Sequence, residues 1–142
     1  MPESIIHTVS PSTNEVVFET PSTSIDEARA IAKVSHNAFV EFSTLPFAER
    51  RAIIVRALDL IQQRKHDLGR ELSVQMGRPI TYSYKEIETM QLRAKFLLDI
   101  SEEALSDIPG REEGGFRRFI RKVPVGPVLI VSAWNVGSPG EV

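Results

Sequence analysis

Residues 121–135 read Arg-Lys-Val-Pro-Val-Gly-Pro-Val-Leu-Ile-Val-Ser-Ala-Trp-Asn. A basic pair leads into a Pro-x-Gly-Pro turn, and Val128-Leu129-Ile130-Val131 then runs apolar with no polar alternation. Such a run is expected of a strand, over about residues 128–132, that is buried on both faces of a parallel sheet. It sets the fold class as α/β. A parallel neighbour needs a crossover of a dozen or more residues, usually a helix. Eleven residues follow Val131, two glycines and a proline among them, so the sheet is expected to be incomplete in this chain. Four such side chains are worth roughly 1.5–3 kcal/mol each when fully buried; with no sheet beside them they become an aggregation hazard. Asn135 falls at the carboxyl end of the strand, where open α/β folds place ligands and catalytic groups. Its amide can donate to a developing oxyanion, while a turn-forming, locally bonded Asn is the plain alternative.

Working back along the chain, Phe116 to Val123 reads as a basic, aromatic-bearing strand. Residues 81–106 carry Tyr84, Ile87, Met90, Ala94, Leu97, Leu98 and Ser101 at helical spacing, closed by Ile108-Pro109-Gly110. Residues 47–76 repeat the pattern through Phe47, Ile53, Ile54, Ala57, Leu58, Ile61, Leu68, Leu72 and Met76, with Pro46 at the first turn. Gly77-Arg78-Pro79 is a C-cap glycine followed by a proline. Arg64-Lys65-His66 either kinks one long helix or separates two. Residues 25–42 form another amphipathic helix, with Ser24 as N-cap and Asp26 and Glu27 complementing the dipole. Residues 4–19 read as a hairpin turned at Ser10-Pro11-Ser12-Thr13-Asn14.

The composition narrows the function. The chain has 142 residues, a 42% apolar share, a 25% charged share and a net charge of -2. That describes one soluble globular unit or a piece of one, not a disordered or membrane protein. The charge balance argues against a nucleic-acid or anionic-membrane partner, even where Arg117, Arg118, Arg121 and Lys122 interleave with Phe116 and Phe119. No basic or apolar leader opens the sequence, so a cytoplasmic location is expected. There is no cysteine, which removes a thiolate nucleophile along with disulfides and cysteine metal sites. His7, His36 and His66 have no ligand-like spacing, and no metal site is expected. Glu102-Glu103 and Glu112-Glu113 read as solvated charge, and Gly137-Ser-Pro-Gly140 lacks the following helix that a phosphate loop requires.

The segment from Arg121 to Asn135, above all Ser132-Ala133-Trp134-Asn135, resembles the lead-in to the nucleotide-binding domain of the aldehyde dehydrogenase superfamily. The likeness extends through Ser10 to Val16, which is similar to the family's opening hairpin. It continues through the first helix, Glu49-Arg50-Arg51 with Leu58, and Glu71 to Pro79. The resemblance implies a Rossmann-like sheet and the NAD- or NADP-dependent oxidation of an aldehyde to a carboxylic acid through a cysteine and a glutamate. It matches Asn135 to the oxyanion Asn, and Val131, Ser132, Ala133 and Trp134 to the stretch along the nicotinamide. The family's continuation departs here: Val136-Gly137-Ser138 replaces its aromatic-Pro step, and the ribose-gripping Lys-Pro-Ser, the later glycine-rich loop, the glutamate and the cysteine are all missing. The expectation is therefore a truncated dehydrogenase, inactive alone and not binding NAD or NADP tightly. The alternative is a non-catalytic interaction module that pairs with a full-length dehydrogenase subunit. The absent cysteine by itself excludes the family's covalent route.

Overall fold

The computed structural model describes residues 4–131. Strands β1 (Ile5–Val9) and β2 (Val16–Pro21) form an antiparallel hairpin. Helices α1 (Ile25–Phe42), α2 (Phe47–Gln63), α3 (Lys65–Met76) and α4 (Ile80–Leu105) follow. A second, very short antiparallel pair, β3 (Ile108–Pro109) and β4 (Phe119–Ile120), closes the described chain. The architecture is thus four helices with two small antiparallel sheets.

Local chemistry sets these boundaries. The Ser24 hydroxyl accepts from the Glu27 amide while the Glu27 carboxylate accepts from the Ser24 amide, a complete capping box at the start of α1. Gly77 ends α3 in the left-handed conformation, φ 70°, and a Cβ there would lie 2.6 Å from Pro11 Cγ. The tight hairpin turn therefore rests on the end of α3. In that turn Asn14 also takes a positive φ, 58°, and the buried Ser10 backbone bonds to both Glu15 and Asn14.

The expected helix over 47–76 is two helices. Arg64 (φ −95°, ψ 10°) leaves the α-helical basin for a single residue, and the next residue, Lys65, pairs with Glu88 of α4. The strand expected over 116–123 shrinks to Phe119–Ile120, because its ladder runs only along Ile108–Pro109, with a single isolated bridge from Phe116 to Glu113. Val128–Val131 of the strand expected over 128–132 form no strand, and Ser132 lies outside the described residues. A strand exists only through a hydrogen-bonded neighbour. All strand pairing among the described residues is antiparallel, the two short pairs and an isolated Glu113–Phe116 bridge, so no parallel sheet is present there to receive this run.

The core lies where α2, α3 and α4 meet. Leu58 and Ile87 are its buried apolar residues, 7% and 8% exposed. The buried Gln91 amide on α4 donates to the Leu58 carbonyl on α2 at 2.7 Å. Gly69 brings α3 against α4 so closely that an added Cβ would sit 2.3 Å from the Tyr84 ring. Ion pairs fasten the outside of this core, among them Lys65–Glu88 between α3 and α4, Arg51–Asp99 between α2 and α4 at 3.6 Å, and Arg78–Glu86 from the α3–α4 link to α4 at 2.5 Å. By contrast α1 buries no residue, and much of the expected apolar stripe on α2, Ile53 and Ile54 included, is exposed. No helix among the described residues is long and apolar enough to cross a membrane.

Candidate functional site

The lead-in to Asn135 starts from the end of α4. The Lys122 ammonium donates to the Ala104 carbonyl at 2.6 Å, placing a cation on the negative end of the helix. Arg121 donates to one Asp107 carboxylate oxygen through Nε and an η nitrogen at 3.3 and 3.2 Å, and its guanidinium lies 4.8 Å from the Phe119 ring centroid. Arg117 approaches the same ring at 5.6 Å, and Arg118 pairs with Glu113 at 3.0 Å. The basic run is therefore occupied inside the chain, fixing the direction in which residues 123–131 leave the β3–β4 pair.

Sequence reasoning singled out these cations and missed what they do. The signal was available in Asp107, a lone carboxylate immediately after a helix and fourteen residues before Arg121.

Beyond Lys122, Gly126 takes a φ of 118°, which a residue with a side chain rarely adopts. Val131 is the described member of the expected cofactor stretch, and it is 88% exposed. Ser132, Ala133, Trp134 and Asn135 lie outside the described residues. A dinucleotide site is concave and encloses its ligand, whereas the described part of this segment stands open. The described residues alone do not fit a nicotinamide cradle.

The other titratable groups are structural where they are placed. His7 bonds to Glu19 across the hairpin at 2.8 Å, and His66 sits edge-on to the Tyr84 ring at 5.1 Å. Among the described residues no three His, Asp or Glu side chains gather as metal ligands. The Lys65 hydrogen bond, with its charge, holds the Glu88 carboxyl below the usual range. The Ser24 backbone amide and then its hydroxyl do the same for Glu27. Both are fastening roles. Shallow grooves along the helices include one of about 360 Å³ between β2 and α3, lined by Val17, Arg70 and Glu71, and one of about 90 Å³ between α2 and α4, lined by Arg51, Leu58 and Lys95. Neither includes a residue of the 121–131 segment.

The sequence model described as "Aldehyde dehydrogenase family" matches residues 1–138. A probable succinate-semialdehyde dehydrogenase [NADP(+)] of Synechocystis is 29% identical over 130 residues, covering 92% of this chain and 28% of the relative. Succinate-semialdehyde dehydrogenase [NADP(+)] 1 of Schizosaccharomyces pombe is 31% identical over 128 residues, covering 88% of this chain and 25% of the relative. Among solved structures, a putative aldehyde dehydrogenase of Burkholderia cenocepacia superposes with a TM-score of 0.78 at 19% identity, over 86% of this chain and 25% of that one. The succinic semialdehyde dehydrogenase of Streptococcus pyogenes in complex with NADP+ gives 0.70 at 18% identity, over 80% and 25%. The chain thus spans about a quarter of the length of the relatives it matches.

Proposed function

Because this chain belongs to the aldehyde dehydrogenase family, we propose that its 142 residues supply the N-terminal helical scaffold and the cofactor-domain lead-in of an NAD(P)-dependent aldehyde-oxidising fold, and carry no turnover by themselves. The observation that carries this reading is chemical: a family whose first step is thiolate attack is represented here by residues with no cysteine. The openness of Val131 supports it, since the residue assigned to the nicotinamide end has no enclosing wall among the described residues. In this reading Ser132, Ala133 and Trp134 would line the cofactor and Asn135 would offer its amide to the oxyanion once the rest of a dehydrogenase fold surrounds them. NAD or NADP would supply hydride acceptance there, and the 142 residues alone bind neither tightly.

Succinate semialdehyde is the first aldehyde to try, since the Synechocystis and Schizosaccharomyces pombe relatives bear it in their names. Purified chain incubated with that aldehyde and with NAD or NADP is expected to form reduced nicotinamide at the background rate. Turnover of about 1 s⁻¹ or more, an enzyme-like value, would overturn the reading.

A second reading is an interaction module that pairs with a full-length dehydrogenase subunit. It is favoured by the exposure of the apolar run Val128–Val131, an unpaired strand-former able to add to another chain's sheet edge. It expects co-elution with a full-length family member. A chain that elutes separately at equal concentrations would remove it.

A further inference from the structure

We draw no further inference here: the strongest candidate, the open groove of about 360 Å³ between β2 and α3 lined by Val17, Arg70, Glu71 and Gln75, carries none, because the buried side-chain atoms without a partner among the described residues, Arg50 Nε and Ser83 Oγ, belong to residues outside its lining and nothing in the structure shows what covers it.

Discussion

Replacing Gly69 by alanine sets two effects of opposite sign against each other. In an exposed helix interior, Gly→Ala stabilises by about 1 kcal/mol through propensity alone. At this position the new Cβ would lie 2.3 Å from Tyr84 Cδ1 and 2.5 Å from Cε1, far inside van der Waals contact. Relief demands that the ring move by about 1 Å or that α3 and α4 part. The ring is not free to swing, since it stands edge-on against His66. Overpacking of this kind costs about 1–3 kcal/mol, which more than cancels the propensity gain. Gly69→Ala is therefore expected to destabilise by about 1 kcal/mol net, or a few degrees of melting temperature for a chain of this size. Urea unfolding followed by circular dichroism measures it, and Gly69→Ala made on a Tyr84→Ala background supplies the control. With the ring gone, the same substitution should become stabilising. An increase in stability for Gly69→Ala in the presence of Tyr84 would refute the close approach of α3 and α4.

Other consequences follow from the same junction. Gln91→Ala removes the buried amide that bonds the Leu58 carbonyl and should cost about 1–3 kcal/mol in a urea titration. Ser83 is fully buried on α4 and its hydroxyl has no hydrogen-bond partner. Ser83→Ala should therefore be neutral or stabilising by up to about 1 kcal/mol, where a loss of that size would reveal a bond the hydroxyl makes. Acid should weaken the fold through Glu27 and Glu88. Both carboxyls are held below their ordinary range in the folded chain. Their contribution is thus complete above the unfolded carboxylate pKa and is lost as pH falls through the folded values. Glu88→Gln should flatten part of the acid limb of stability against pH, and an unchanged profile would contradict the Lys65–Glu88 pairing.

The helices were legible because their signals are local. Ser24 marks an N-cap with Asp26 and Glu27 in the first turn, Gly77 before Arg78-Pro79 specifies a stop, and Leu58 and Ile87 occupy core positions of their stripes. What escaped the reading depends on neighbours. The break at Arg64 brings Lys65 to Glu88, a partner twenty-three residues away on another helix. The strand expected over 116–123 is only as long as the segment pairing with it. The apolar run Val128–Val131 carries strand propensity, but propensity in a sheet is a preference for fitting a pleated, half-buried surface. Among the described residues that surface is missing, so the run stands exposed to solvent without a partner strand. The expected site residues divide at the same place: Val131 is described and open, while Ser132, Ala133, Trp134 and Asn135 lie outside the described residues. Their assignment rests on resemblance to the family.

The central claim is that the apolar run Val128–Val131 finds no sheet to pair with among the described residues. Amide hydrogen exchange across residues 123–131 tests it most directly. The account predicts exchange at the rate of unfolded chain for Val125, Val128, Leu129, Ile130 and Val131, while the α4 amides around Ile87 and Gln91 are protected. Slow exchange at Val128–Val131 in the purified chain would mean that a completed sheet holds them, and would contradict the account.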